Sequence, residues 1–198
     1  MAEQRRPRAA TEQKRKRLLD ATEEIMLKDG YAAVSSRSVA AAVGINAPLV
    51  HYYFPTIDDL FVAVLQRRAG RNVERMADAL ASPQPLRAWW ELASDPRGTG
   101  LFVELMAAAN HRPALKAEVG AVAHRVRTMQ MDRLATLLAE YGLDPDDVPP
   151  ALVAAAVQGL AFGVVQDQAA GYDTCAGEAA GAMTRLVDRL EARRASRS

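Results

Sequence analysis

The sequence predicts an all-α fold of about nine helices, and three observations support this prediction. Apolar residues recur every three or four positions along most of the chain, and no long run alternates between apolar and polar residues. No pair of candidate strands flanks a two-residue hairpin turn. Breaks rich in proline and glycine, such as "SPQP" at 82–85 and "GLDPDDVPP" at 142–150, divide the helical pattern into segments.

The first helix is predicted from about Thr11 to the sequence "KDGY". Gly30 suits the left-handed conformation that follows many helices, and Tyr31 can fold back onto Met26. The apolar face of this helix consists of Leu18, Leu19, Thr22, Ile25 and Met26.

The second and third helices are predicted to be closely spaced. The second begins at Ser35 or Ser36, because either hydroxyl can accept a backbone N–H at the N-cap, and it runs to Gly44. Asn46 then caps the third helix, and Pro48 falls in its first turn, where a missing N–H costs nothing. Two helices joined by a tight turn at a glycine form a helix-turn-helix pattern.

The third helix is predicted to have an inner and an outer surface. At about 100° per residue, Val50, Tyr53 and Phe54 share one face with Asn46 and are expected to pack into the core. The remaining positions are expected to point outward: Ala47, Pro48, Leu49, His51 and Tyr52.

Six further helices complete the predicted fold. Thr56 is expected to cap the fourth helix, with Asp58 and Asp59 in the first turn, where the helix dipole favours acidic residues. A short fifth helix carries Trp89 and Trp90. The last four are predicted at about 101–109, 113–141, 151–170 and 175–194.

Composition indicates a cytoplasmic globular protein. Of the 198 residues, 49% are hydrophobic and 25% charged, as in ordinary folded domains. The N-terminus is charged and resembles no secretion signal, and the longest charge-free run, Pro149 to Gln166, is short for a membrane span. Nine of the 25 Lys and Arg residues and six of the 24 acids lie in residues 1–56. This basic arm could bind phosphates or could be a solvated tail.

Catalytic, cofactor and metal sites are not predicted. One cysteine, Cys175, and three histidines make no metal-ligand pattern. No nucleophile elbow, His-Glu metal motif or glycine-rich phosphate loop occurs. The sequence therefore favours a binding protein over an enzyme.

The segment "SSRSVAAAVGINAPLVHYYFPTIDDLF", residues 35–61, resembles the DNA-binding signature of TetR-type transcriptional regulators, and the preceding "KDGYAAV" matches that family too. The resemblance implies a three-helix DNA-binding domain at 11–71, with the helix-turn-helix at about 35–54. It also implies a helical ligand-binding and dimerisation domain at 72–198. Partners implied are a palindromic double-stranded DNA operator, a small-molecule effector and a second copy of the chain.

The resemblance assigns DNA contacts to individual positions. The start of the second helix would face phosphates, and the third would enter the major groove. The candidate contacts are Ser35, Ser36, Arg37, Asn46, Ala47, Pro48, Leu49, His51 and Tyr52. The family commonly has lysine at Ile57 and tyrosine at His51. Because the groove-facing set has few hydrogen-bond donors, specificity is predicted to come from thymine methyl contacts and DNA shape.

The small and apolar residues in the remaining two-thirds of the chain allow two interpretations. Small residues in the last two helices could be simple core or, as the resemblance implies, a four-helix homodimer interface. Candidate ligand-binding residues, which could equally be core, are Trp89, Phe102, Met106, Met129, Phe162 and Gln166. The expected function is a ligand-responsive repressor. The alternatives are an effector-independent or protein-partnered DNA binder and a helical enzyme.

Overall fold

The structure, a computed structural model, describes residues 5–172 and 174–196, with side chains described for 10–172 and 176–196. Within those ranges the chain forms nine α-helices and one 3-10 turn, Tyr31–Ala33, which confirms the all-α prediction. The helices are α1 Arg5–Asp29, α2 Ser36–Val43, α3 Ala47–Tyr53, α4 Ile57–Leu80, α5 Pro85–Ala93, α6 Pro96–Ala109, α7 Pro113–Glu140, α8 Pro150–Ala169 and α9 Thr174–Ala195.

Two helix starts differ from the sequence-based expectation. α1 begins at Arg5, six residues before Thr11, so the basic arm is part of a helix. α6 begins at Pro96, inside a stretch that sequence reasoning treated as a break. Proline at the first helical position lacks only an N–H that would be unpaired there, so it is compatible with a helix start. The side chains of residues 5–9 and of Cys175 lie outside the described part.

The chain divides into two compact units. Unit 1 comprises the residues up to Arg68 together with Gly100–Ala121, and unit 2 comprises Ala69–Thr99 and the residues from Val122 onward. Helices α4, α6 and α7 each contribute residues to both units. The domain boundary predicted from the sequence, at 71/72, stays a prediction.

Unit 1 buries the apolar face that the sequence predicted for α1. Leu18, Leu19 and Met26 are at most 2% exposed. Thr22 is fully buried too, and its hydroxyl donates to the carbonyl oxygen of Leu18 at 2.8 Å, which satisfies the buried polar group. α4 contributes Leu60, Phe61, Val64 and Leu65 to the buried apolar residues of the unit.

Ion pairs link helices within unit 1. Arg67 of α4 pairs with Asp20 at 2.7 Å and with Glu23 at 2.8 Å on α1. Arg112, just before α7, pairs with Asp58 in the first turn of α4, and its guanidinium lies 5.0 Å from the ring centroid of Phe61. These contacts hold α4 against α1 and against the residue that precedes α7.

Unit 2 has a separate core built around two tryptophans. Trp89 is 1% exposed and Trp90 is 5% exposed, and the indole N–H of Trp90 donates to Thr184 Oγ1 at 3.3 Å. Because a buried tryptophan removes roughly 150–250 Å² from water, α5 is a principal source of this unit's hydrophobic stabilisation. The other members of the cluster are Leu80, Leu86, Leu134, Leu137, Tyr141, Ala154, Val157, Ala161 and Val187.

A buried glutamate caps α5 from a distant part of the sequence. Gln84, the N-cap residue of α5, makes no side-chain capping bond. Instead, Glu191 Oε1 accepts the backbone N–H groups of Leu86 at 2.9 Å and Arg87 at 3.2 Å, and Glu191 Oε2 accepts the hydroxyl of Tyr141 at 2.7 Å. Glu191 is 7% exposed, so its carboxylate satisfies two unpaired donors of a helix N-terminus inside the core.

Replacing Tyr141 with phenylalanine should make the free energy of unfolding less dependent on pH in the alkaline range. Burial, and then the hydrogen bond to Glu191, raises the pKa of the Tyr141 hydroxyl above its ordinary value of about 10. The folded state therefore holds this proton more tightly than the unfolded state. The resulting stabilisation is complete below pH 10 and is lost as the pH rises through 10 towards the raised pKa.

Urea unfolding of wild type and Tyr141→Phe at pH 8 to 11 measures this effect. The free energy of unfolding of the wild type should fall by about 1 kcal/mol more than that of the variant by pH 11. Parallel pH dependences in the two proteins would contradict the assignment.

α8 is the one described helix that is long and apolar enough to cross a membrane by length and composition alone. Core helices of soluble proteins meet the same criteria, and α8 packs against α5 and α9 within unit 2. Only 28% of its most apolar window is buried, so much of its apolar surface is uncovered.

Candidate nucleic-acid interface

The start of α2 is fixed by a reciprocal pair of serine hydrogen bonds. Ser35 is the N-cap residue, and its hydroxyl accepts the backbone N–H of Ser38 at 3.1 Å, while Ser38 Oγ accepts the backbone N–H of Ser35 at 2.9 Å. Such a capping box satisfies two unpaired donors at once. Ser36 and Arg37 follow in the first turn, where Arg37 is exposed.

The turn after α2 depends on Gly44. Its φ of 72° and ψ of 39° lie in the left-handed region, which a residue with a Cβ atom enters only at a cost. The backbone N–H groups of Gly44 and Ile45 donate to the carbonyl oxygens of Ala41 and Ala40, which closes the helix end. The chain can therefore reverse direction within three residues.

Asn46 starts α3 as the sequence predicted. Its side-chain oxygen accepts the backbone N–H of Leu49 at 3.2 Å, and a proline lies in the first turn. Val50 and Phe54 are 1% and 3% exposed and anchor the helix, whereas Tyr53 is half-buried. These anchors give a seven-residue helix a defined orientation that its length alone could not provide.

The outward surface of α3 carries most of the residues that were predicted to face DNA. Pro48, His51 and Tyr52 are exposed, and Tyr52 reaches 76%. Ala47 and Leu49 are half-buried on the flanks. The rings of Tyr52 and Tyr53 meet edge to face with centroids 5.2 Å apart, so the core-side tyrosine supports the exposed one.

His51 joins the two helices of the motif. Its Nδ1 lies 3.1 Å from the carbonyl oxygen of Pro55, and its Nε2 lies 2.9 Å from Ser36 Oγ. A carbonyl oxygen can only accept, so Nδ1 carries a hydrogen, and in the neutral ring Nε2 accepts the hydroxyl hydrogen of Ser36. Ser36 and His51 therefore act as one hydrogen-bonded unit rather than as two independent contacts.

The neighbouring helices brace this motif. Arg17 of α1 donates to the carbonyl oxygen of Val43 at 2.9 Å, and the guanidinium of Arg15 lies 5.3 Å from the ring centroid of Phe54. Thr56 caps α4 as predicted: its hydroxyl accepts the backbone N–H of Asp59 at 3.0 Å, and Asp59 Oδ2 accepts the backbone N–H of Thr56 at 2.9 Å. α1 thus contacts the end of α2 and the residue that follows α3.

Comparison with known families agrees with this geometry. Residues 18–64 match the model of bacterial regulatory proteins of the tetR family, a segment that includes α2, the turn and α3. This segment, about a quarter of the chain, has the DNA-binding region of the TetR family. The match supports the expected DNA-binding regulator rather than the enzyme alternative.

Two curated relatives of this chain are both described as the HTH-type transcriptional repressor KstR. The chain is 39% identical to the protein from Mycobacterium tuberculosis over 77 residues, which are 37% of this chain and 35% of that protein. It is 40% identical to the one from Mycolicibacterium smegmatis over 67 residues, 34% of this chain and 31% of that protein. The chain thus spans about a third of the length of these relatives.

Solved structures resemble the fold over nearly the whole chain. A Rhodococcus regulator assigned to the TetR family matches with a TM-score of 0.72 and 16% identity, covering 90% of this chain and 99% of that one. A transcriptional regulator of Saccharomonospora viridis, solved in complex with choline, matches with a TM-score of 0.74 and 17% identity, covering 89% and 96%. At these identities the likeness establishes the fold.

The candidate ligand-binding residues fall in both units. Phe102 and Met106, each 37% exposed, belong to unit 1. In unit 2, Trp89 lies in the core, while Met129 and Phe162 are 48% and 44% exposed. Gln166 of unit 2 is half-buried. These assignments stay predictions.

Sequence reasoning missed two polar residues of unit 2, Arg127 and Gln130. Gln130 is 2% exposed in the middle of α7, and both hydrogen-bond with Gln158 of α8. A glutamine at an inward position of a helical pattern was the available signal. Among the described residues, no group of three or more His, Cys, Asp or Glu side chains is placed to hold a metal ion.

Proposed function

We propose that the chain is a ligand-responsive transcriptional repressor that binds a palindromic operator as a homodimer. The observation that carries the proposal is α3 itself. Val50 and Phe54 anchor the helix in the core, while Pro48, His51 and Tyr52 project outward from a motif matched by the family. An exposed surface of this kind at the second helix of a helix-turn-helix fits the major groove.

The DNA contacts we propose fall into two groups. Ser35, Ser36 and Arg37, at the start of α2, are placed to face phosphates, where Ser36 acts together with His51. The groove-facing group from α3 is Asn46, Ala47, Pro48, Leu49, His51 and Tyr52. Because this second group is mostly apolar, we propose that it selects sequence through thymine methyl groups and DNA shape.

Truncating Tyr52 to alanine should weaken operator binding by about 10- to 100-fold, since a base or phosphate contact of this kind contributes roughly 1–3 kcal/mol. Stability should change by less than about 0.5 kcal/mol, because the side chain is exposed. Tyr172 is the matched control, as it is 58% exposed in unit 2. Fluorescence anisotropy with labelled operator would contradict the assignment if Tyr52→Ala and Tyr172→Ala bound equally well.

Replacing Arg37 with glutamine should reduce the salt dependence of DNA binding. Each phosphate contact that is lost lowers the slope of log K against log salt by about one. Lys116, an exposed cation of unit 1 outside the motif, provides a charge-matched control as Lys116→Gln. Affinities at 50 to 300 mM salt give the slopes. Equal slopes for wild type and Arg37→Gln would show that Arg37 does not contact a phosphate.

The homodimer we propose forms through the last two helices. Five exposed positions of α8 fall on one side at helical spacing and contain no charge: Leu152, Ala155, Ala156, Gly159 and Phe162. On α9, Ala182 and Leu186 are exposed one helical turn apart. An uncharged apolar strip with a central glycine suits close packing against an identical strip across a two-fold axis.

A small-molecule effector is the remaining part of the proposal. Regulators of this family bind DNA operators and small molecules, and the KstR relatives support repression as the direction of control. An effector can release DNA only if it binds the DNA-incompetent conformation more tightly, and the coupling is reciprocal. We place the protein in the cytoplasm, where its operator would be.

Selection of bound sequences from random DNA, followed by a screen for compounds that release them, tests the whole function. We expect a palindromic consensus whose half-sites lie about one helical turn apart. DNA binding that no compound alters would favour the effector-independent alternative. Failure to enrich any sequence would refute specific operator binding.

A further inference from the structure

A polar cluster lies between α7 and α8 within unit 2, and we call it the Gln130 cluster: Arg127, Gln130 and Gln158. Gln158 Nε2 donates to Gln130 Oε1 at 3.1 Å. Arg127 donates through Nη1 to the same oxygen at 3.4 Å and through Nη2 to Gln158 Oε1 at 3.0 Å. The cluster extends from the exposed Arg127, through the half-buried Gln158, to the buried Gln130.

The orientation of both amides follows from the arginine. A guanidinium has only donors, so the side-chain oxygens of Gln130 and Gln158 must face Arg127. This leaves the amide nitrogen of Gln130 without a bond to either partner. Within the described part of the chain, this nitrogen is buried and has no hydrogen-bond partner.

An unpaired buried amide is unusual in a native protein. The large majority of buried polar atoms are hydrogen-bonded, and leaving one unpaired costs about 1–3 kcal/mol. Gln130 sits on α7 between Val126 and Leu134, each one helical turn away, and Leu134 is fully buried. An apolar residue at this position would avoid the cost, so the amide is better explained by a function than by stability.

The cluster offers a ligand hydrogen-bond donors rather than acceptors. Both amide oxygens are already occupied by donors within the cluster, so what remains to a ligand are N–H groups and one positive charge. Arg127 makes no ion pair with any residue that the structure describes. Such a site is complementary to an anionic oxygen, because charge-assisted hydrogen bonds to a carboxylate or phosphate are the stronger kind.

The surroundings of the cluster are apolar. Along α8, Gln158 lies one helical turn from Ala154, which is fully buried. Met131 and Leu160 are partly buried against the unit 2 core beside it. Ligand sites commonly combine an apolar wall with a few convergent polar groups.

We propose that the Gln130 cluster binds the head group of an amphiphilic organic anion, a carboxylate or phosphate with an apolar body. Gln130 Nε2 and the Arg127 guanidinium donate to the anionic oxygens, and the apolar body packs on the α7 and α8 surfaces around the cluster. This assignment rests on the proposed effector function and names the chemical class of the effector.

Four probes with unbranched apolar tails of nearly equal length test the head-group preference: decanoate, decyl phosphate, decanol and decyltrimethylammonium. Calorimetric titration of the full chain, below the micelle concentration of each probe, measures binding directly. We expect at least one anionic probe to bind about tenfold or more tightly than decanol, and the cation to bind more weakly than both. The two anions distinguish a carboxylate from a phosphate effector.

Two variants locate the site. Gln130→Leu should weaken anion binding by about tenfold or more. Its stability should change little, because removal of the unpaired buried N–H offsets the loss of the two bonds to Gln130 Oε1. Arg127→Gln should weaken anion binding similarly and leave decanol binding unchanged, which a merely structural role would not do. Arg133→Gln is the matched control, since Arg133 is exposed on the same helix. If Gln130→Leu folds poorly, Arg127→Gln tests the site by itself, because Arg127 is exposed.

The outcomes distinguish failure of the proposed anion site from failure of the proposed effector function. Anion binding that depends on Gln130 and Arg127 but leaves operator affinity unchanged would support the site and refute effector control. Release of DNA by a compound whose binding ignores both substitutions would support effector control and overturn the site. No preference for anionic probes, or equal anion binding by all three variants, would also overturn it.

Discussion

Substituting arginine for Gly159 is expected to convert the proposed homodimer to monomers and to weaken binding of the proposed operator by about 100-fold or more. Gly159 is exposed in the middle of the uncharged strip of α8, and a Cβ atom added there would meet nothing within 4 Å. The single chain therefore accommodates the side chain. Two such arginines facing each other across a two-fold axis would bring like charges into an apolar interface, which is strongly unfavourable.

Gly120 of α7 provides a matched control for this substitution. It is also exposed and helical, and a Cβ atom there also meets nothing within 4 Å. Both changes should raise intrinsic helix stability slightly, because arginine is favoured over glycine by up to about 1 kcal/mol. Light scattering after size exclusion should report monomers for Gly159→Arg and dimers for Gly120→Arg. Dimeric Gly159→Arg with wild-type DNA affinity would refute the α8 interface.

Replacing Glu191 with alanine should destabilise the protein by about 3 to 5 kcal/mol. The backbone N–H groups of Leu86 and Arg87 and the hydroxyl of Tyr141 would all lose their acceptor inside the unit 2 core. α5, which carries the buried Trp89, would also lose its capping group. Thermal unfolding at fixed protein concentration should show a Tm lower by about 10 °C.

Two further variants define the role of Glu191. Glu140→Ala removes a half-exposed carboxylate that pairs with Arg194 at 2.9 Å, and it should cost less than about 1 kcal/mol. Glu191→Gln keeps the shape and one acceptor oxygen, so its effect should be intermediate. If Glu191→Ala proved as mild as Glu140→Ala, the capping role would have to be abandoned.

Local chemistry made the front of the chain predictable. Ser35, Asn46 and Thr56 each act within three residues of their partners, and Gly44 acts through its own backbone angles. Periodicity within one helix then separates Val50 and Phe54 from the outward positions. These features depend on short segments, so a reader of the sequence can recognise them without knowing the tertiary structure.

Long-range contacts explain what the sequence did not reveal. Glu191 caps α5 across 105 positions, and no local pattern marks it. The Gln130 cluster joins residues 28 and 31 positions apart on different helices, where packing of α7 against α8 decides the contact. The amphipathic pattern likewise did not predict that α1 begins at Arg5. A helix can continue beyond the residues whose side chains are buried, and the pattern marks only those residues.

The double attachment of His51 has a consequence for the entropy of DNA recognition. Its ring is held at both nitrogens in the unbound chain, by Pro55 on one side and Ser36 on the other. Ordering a loose side chain opposes association by roughly 0.5–1.5 kcal/mol, and His51 avoids most of that loss. A tyrosine at this position could not bond to both partners. The link between α2 and α3 is therefore preorganised in a way that depends on histidine.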